Sequence, residues 1–262
     1  MKLEIKKNNI IKDLRTWFKY AEPEGGESQW KEGRSAMEFA RYMISSNNRL
    51  PKELSSYLNS IGFKDENYIC YPEEVTPFDD FDLGTGSGRH HDGLLVSKNY
   101  LVGIEAKVSE PFDNSILTKL ERAKSNSDKG ANMRKRIVNS LKILKSSFRD
   151  DLLDQESVQS LMYQLISGSV GTIIESCKRN ICNSVFLIIE FDGDVDGKEK
   201  NYDEKVENNQ KAYDKFLVFF NLTDKDNKNR YIDVEIKDKK IRMWINKIRI
   251  TIKKEGYEYS QT

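Results

Sequence analysis

The chain holds little of several things that would place it quickly. Its three cysteines, Cys70, Cys177 and Cys182, are too few and too scattered for a disulfide scaffold. Cys177 and Cys182 stand five apart, yet the only two histidines, His90 and His91, lie far upstream. A closed zinc site needs more ligands than this, so the thiols read as core or near-core residues. No run approaches the roughly 20 apolar residues that a bilayer span requires. Met1 to Ile11 alternates Lys, Glu and Asn with single apolar residues and lacks the apolar centre of a secretory signal. The expectation is a cytoplasmic protein with no membrane partner. There is no internal repeat, no coiled coil and no linker clean enough to divide the chain.

Net charge is also nearly absent, at +1 over 262 residues, although 32% of them are charged. Its distribution is uneven. Between Lys119 and Lys145 nine basic residues, among them Lys124, Arg134, Lys135 and Arg136, face only Glu121 and Asp128. A positive patch can therefore coexist with a neutral whole, although a solvated lysine-rich helix face gives the same pattern. The 37% apolar fraction is that of a folded globular chain.

The apolar residues are arranged in two periods. Helical spacing marks Ile10 to Ala21, and a helix from Ser35 whose Glu38 completes a capping-box pattern. Helical spacing also marks a segment after Pro51 that stops at Gly62, then Ile116 to Ala123, Asn132 to Phe148, Ser157 to Cys177 and Tyr213 to Phe220. Strand character marks Tyr68 to Val75, which Pro72 makes an edge or irregular strand. A hairpin follows, with Leu94 to Val96 and Leu101 to Val108 turning at Lys98-Asn99. Val185 to Ile189 is short and continuously apolar, as in a strand buried on both faces. Tyr231 to Ile236 and Ile241 to Ile250 form a closing pair, and Asp192 to Asn209 reads as a loop. The order gives an α/β fold, a central mixed β-sheet flanked by helices.

The chemistry gathers on the hairpin. Folding about Lys98-Asn99 sets Asp92 opposite roughly Glu105. Glu105 and Lys107, two apart on one strand, emerge on the same face. Gly103 shares that face and leaves room for a ligand, while Ile104, Ala106 and Val108 turn to the core. Two carboxylates on a half-buried sheet repel and are costly to desolvate, a penalty that a divalent cation removes. Oxygen donors from Asp92, Glu105 and the Ala106 carbonyl suit Mg²⁺, with Mn²⁺ as substitute. Lys107 can orient water or offset charge developing on a phosphate. A surface ion pair between Glu105 and Lys107 is the plainer alternative. His90 shares the parity of Asp92, and with Arg89 it is a candidate phosphate contact. Gly84 to Gly88 lacks the Gly-Lys-Ser/Thr ending of a P-loop and reads as a loop at the mouth of the site.

Asp92 with Glu105-Ala106-Lys107 resembles the catalytic motif of the PD-(D/E)XK nuclease superfamily, which includes restriction endonucleases and repair nucleases. His91 stands where that motif usually carries proline. The resemblance implies a restriction-endonuclease-like core of αβββαβ order in a single domain spanning 1–262. Residues 1–34 would be an N-terminal helical extension and 221–262 a C-terminal β-hairpin addition. It also implies a glutamate from the first core helix in the metal shell. Glu38 is the best match, with Glu73 and Glu74 as competitors. Tyr163 and Gln164 resemble a later-helix element in which one residue, here Gln164, faces the site. Trp17-Phe18, Gly25-Gly26, Gln29-Trp30, Gly33 to Ala36 and Gly103 to Phe112 are similar to a group of bacterial proteins of uncharacterised activity placed near that superfamily.

The expectation is Mg²⁺-dependent phosphodiester hydrolysis of DNA, in a restriction or defence setting. Lys124, Arg134, Lys135 and Arg136 would position the backbone without reading sequence. RNA stays open as substrate, and a homodimer would allow both strands to be cut. Two alternatives stand beside it: a nuclease-fold protein that binds nucleic acid or a partner without cutting, and a hydrolase of a small phosphorylated substrate.

Overall fold

The computed structural model describes residues 1–65, 67–84, 88–124, 127–193, 201–253 and 258–261. In chain order its elements are β1 (Lys2–Ile5), α1 (Leu14–Tyr20), α2 (Ser35–Ser45), α3 (Lys52–Ser60), β2 (Asn67–Thr76), β3 (Arg89–Val96) and β4 (Tyr100–Lys107). There follow α4 (Ile116–Ala123), α5 (Ser127–Leu144), α6 (Glu156–Gln159), α7 (Tyr163–Lys178), β5 (Asn183–Gly193), α8 (Tyr202–Phe219), β6 (Tyr231–Ile236), β7 (Lys239–Lys253) and β8 (Glu258–Gln261).

The strands form one mixed eight-stranded sheet in the order β1-β2-β3-β4-β5-β7-β6, with β8 also paired to β7. β2, β3 and β4 run antiparallel in succession, whereas β4, β5 and β7 are parallel. Helices cover both faces. Val102, Ile104, Ala106, Val185, Leu187 and Ile189 pack toward Trp17, Phe39, Met43 and Leu54 of α1 to α3. Phe186, Ile188, Met243 and Ile245 pack toward α5, α7 and α8. Such two-sided burial explains why β5 reads as an unbroken apolar run. No helix among the described residues is long and apolar enough to cross a membrane.

α7 lies closest to the sheet. A Cβ on Gly103 would come 2.1 Å from Thr172 Oγ1, and one on Gly171 would come 2.8 Å from His91 Nε2. Glycine at these two positions lets helix and strand approach where side chains would hold them apart. The space expected for a ligand beside Gly103 is therefore filled by α7.

Several boundaries differ from the sequence reading. β1 pairs in parallel with Asn67–Cys70, so Leu3 and Ile5 are sheet core inside the expected extension. Pro72 sits where β1 has ended, and the same strand is interior at one end and uncovered at the other. The 157–177 segment breaks because Ile116 N–H bonds Leu161 O and Tyr163 N–H bonds Asn114 O, replacing helical bonds. α8 begins at Tyr202, where a loop was expected, and residues 194–200 of that loop lie outside the described ones. Its early half buries only Tyr202 and Asn209 fully, too few apolar residues to show a period. The C-terminal hairpin is part of the central sheet, since β7 pairs with β5 over Asn183–Gly193. Cys70 and Cys177 are buried, but Cys182 is exposed.

Candidate active site

The hairpin of β3 and β4 is paired only from Gly93–Ile104 to Val96–Leu101. Beyond Gly93, β3 follows β2, with His91, His90 and Arg89 opposite Glu74, Val75 and Thr76. Beyond Ile104, β4 follows β5, with Glu105, Ala106 and Lys107 opposite Ile188, Ile189 and Glu190. The two strands part, and a cleft opens between them. At the same level β2 carries Glu73 with φ +49°, a left-handed conformation unusual for a non-glycine residue. There the β2–β3 ladder lapses between Pro72–Gly93 and Glu74–His91.

The parting leaves Ala106 without a neighbour in β3. The Asp92 carboxylate takes that place, accepting from Ala106 N–H at 2.6 Å. A strand residue directs its N–H and C=O toward the same neighbouring strand. The Ala106 carbonyl therefore faces the cleft as well.

Asp92, Glu105, Ala106 and Lys107 line one cavity of about 660 Å³, together with Arg89, His90, Gln164 and Glu73. The remaining wall comes from the approach to α2, including Glu24, Lys31 and Arg34, and from Glu110, Pro111 and Asp113 at the exit of β4. Six carboxylates (Glu24, Glu73, Asp92, Glu105, Glu110, Asp113) meet four Lys or Arg side chains (Lys31, Arg34, Arg89, Lys107) in this wall. Asp113 is paired with Lys119 from outside the wall, and burial holds Glu73 and Asp92 toward their protonated forms, so the formal count overstates the negative charge of the cleft.

Glu105 is 2% exposed. One of its oxygens lies 2.9 Å from Lys107 Nζ and the other accepts from Arg89. Burial pushes the Asp92 carboxyl above its ordinary range, against the pull of Lys107 and the Ala106 N–H. Burial, with repulsion from Asp92, pushes Glu73 up to about 9. Burial lowers the Lys107 ammonium, which the nearby acids partly hold charged. Two buried polar atoms at this cleft, Arg89 Nε and Gln164 Oε1, have no hydrogen-bond partner.

The structure thus brings together Asp92, Glu105, Ala106, Lys107, Gln164, Arg89 and His90. Glu38 does not line the cavity. Its Oε1 accepts from Gly33 N–H and pairs with Arg41, and it is buried beneath the first turn of α2. The expected Ser35 cap is also absent: Arg34 occupies the cap position, and Ser35 N–H donates to Glu110 instead. The second oxygen of Glu110 accepts from Val108 N–H. Glu110 thereby clips the start of α2 to the exit of β4. Tyr163 packs in the core beside Gln164, and His91 is fully buried on Thr76. Residues 85–87 of the Gly84–Gly88 segment lie outside the described residues.

The basic stretch is organised differently from expectation. Lys124, Arg134, Lys135 and Arg136 do not line the cavity. Arg134 pairs with Asp154, Lys135 with Asp82 and Lys142 with Asp150, all acids that lie outside 119–145. Arg136 Nε donates to Leu83 O and its guanidinium lies over Phe78. Sequence counting inside 119–145 could not see these counter-charges. Lys31, Glu24, Asp113 and the reach of Glu110 to Ser35 were likewise illegible, since each depends on distant segments meeting, whereas a brace by Glu110 at the strand exit could be expected from its place just after β4.

Among the described residues no three His, Cys, Asp or Glu side chains converge as a metal-ligand group. A family described as a domain of unknown function, DUF6946, matches residues 10–251. The chain belongs to this family. The match takes in both strands of the hairpin, α2 and α7, hence every element that walls the cleft. No curated protein and no solved structure matches the chain.

Proposed function

We propose that this DUF6946 chain is a metal-dependent phosphodiesterase acting on DNA, with its active site where β3 and β4 part. One observation carries the reading: Asp92, Glu105, the backbone of Ala106, and Lys107 line a single cleft opened by that parting. The antiparallel β2-β3-β4 run, followed by α7 and parallel β5, supports the resemblance to the PD-(D/E)XK superfamily.

The residues fit a hard divalent cation by their chemistry. Asp92, Glu105 and the Ala106 carbonyl are the oxygen donors that would hold Mg²⁺ or Mn²⁺, the remaining positions being filled by water. The buried Asp92 carboxyl, raised by desolvation, is a group whose charged form such an ion would favour. When bound, it polarises a phosphoryl oxygen and acidifies a water. Lys107, held by Glu105 on one strand face, directs its ammonium at the same place and offsets charge on the phosphate. Gln164 lines the same cleft, and its side-chain oxygen is buried there without a protein partner. Arg89, His90, Lys31 and Arg34 are the phosphate contacts within reach of the cleft, and a homodimer would serve cleavage of both strands.

The test is cleavage of plasmid, linear and single-stranded DNA, and of RNA, with Mg²⁺, Mn²⁺ or chelator. Metal-dependent cleavage is expected, falling about 10²–10⁴-fold in Lys107→Met and Asp92→Asn. Equal cleavage by wild type and both variants rejects the site. A second reading, a nuclease-fold protein that binds without cutting, draws on Glu105, both of whose oxygens are held by cationic side chains. Tight DNA binding without cleavage in any metal would favour it.

A further inference from the structure

We infer that Arg89 is a resident counter-ion of the cleft, holding Glu105 in the metal-free protein and exchanging it for a phosphodiester when nucleic acid enters. The inference rests on the proposed reading of the cleft, and it adds coupling between metal and substrate.

Arg89 is the first residue of β3, fixed by backbone pairing to Thr76. Its side chain passes against Gly171 of α7, where an added Cβ would meet its Cβ and Cγ at 2.9–3.0 Å. It ends on Glu105 Oε2, one of the proposed metal-holding oxygens. A guanidinium and a divalent cation on the same oxygen repel each other, so each weakens the other's hold on it. Metal and Arg89 therefore compete for Glu105.

The side chain is also incompletely satisfied where it rests. Its Nε is buried and has no partner, so only part of the planar donor fork is used. A phosphodiester offers the two adjacent acceptor oxygens that this fork matches. Asp92 and Asp113 attract the same guanidinium, which keeps it in the cleft when it leaves Glu105. Nucleic acid would thus draw Arg89 from Glu105 and free that carboxylate for the metal. By linkage, metal would raise nucleic-acid affinity by the same factor.

The experiment measures Mn²⁺ binding by electron paramagnetic resonance on the full chain, with and without a phosphorothioate DNA duplex that resists cleavage. Wild type should bind weakly alone and about tenfold tighter with the duplex. Arg89→Met should bind Mn²⁺ about tenfold tighter than wild type without DNA and show little further change on adding it. Arg89→Met with Glu105→Gln should lose that increase. Equal Mn²⁺ affinity in wild type and folded Arg89→Met overturns the inference. Should Arg89→Met fail to fold, wild type decides: no duplex-induced rise in Mn²⁺ affinity overturns it. If the coupling is seen and no DNA is cut, the nuclease reading fails while the role of Arg89 stands.

Discussion

The carboxylate of Asp92 stands in for a missing strand neighbour of Ala106, accepting its N–H at 2.6 Å just where β3 leaves β4. One side chain is thus both a structural clasp and a candidate metal-holding group, and substitution can separate the two. Asp92→Asn keeps an acceptor for the N–H, whereas Asp92→Ala leaves it unpaired, at a penalty of about 1–3 kcal/mol. Urea unfolding should find Asn more stable than Ala by roughly that margin, with cleavage lowered about 10²–10⁴-fold in both. Equal stability of the two variants would contradict the clasp.

Gly103 and Thr172 give a test of packing. An alanine at 103 would place Cβ 2.1 Å from Thr172 Oγ1 and 3.2 Å from its Cβ. Gly103→Ala should therefore destabilise by about 1–3 kcal/mol through overpacking. Thr172→Ala removes the nearer clash, so the double variant should recover part of that stability in a double-mutant cycle. Additive effects would mean that α7 does not press on the strand here.

Glu73 sets a pH dependence. Burial and Asp92 raise its carboxyl from 4.5 to about 9, with Lys7 and Arg89 opposing and Glu24 reinforcing. The folded state keeps this proton over a range in which the unfolded chain has released it. Stability therefore falls as pH rises from 4.5 toward about 9. Glu73→Gln should flatten that fall, and Mg²⁺ should oppose it in wild type by favouring the charged carboxylates. Thermal melts across this range check both; parallel profiles for wild type and Glu73→Gln would refute the assignment.

DNA affinity distinguishes the cleft from the α5 surface. Arg134 and Lys135 lie outside the wall of the cleft, so their alanine variants should leave affinity and its salt dependence nearly unchanged. Lys31→Ala with Arg34→Ala should weaken binding and reduce the salt slope by about one for each phosphate no longer neutralised. Fluorescence anisotropy over a salt series reads both, and the reverse ranking would move the binding face to α5.

The placement of Glu105 and Lys107 was legible because side chains alternate along a strand, and the position of Asp92 because a short turn fixes which residues meet. Glu38 shows where legibility ended. Its helix was readable from spacing, but its place beneath the α2 start, away from the cleft, depends on how α2 sits on the sheet. The same holds for Arg136, whose partners Leu83 and Phe78 lie far upstream in the chain.

The sequence by itself determined the hairpin, the charged trio on it and the alternation of helices and strands, because these follow from periods of two and 3.6 residues and from local turns. Tertiary structure alone decided that β3 and β4 separate after Gly93 and Ile104, and that α7 fills the space beside Gly103. It also decided that Arg89 neutralises Glu105 and that Glu110 joins α2 to the strand exit. These are meetings of segments remote in the chain, and a linear pattern carries no information about which charge or cavity will be opposite.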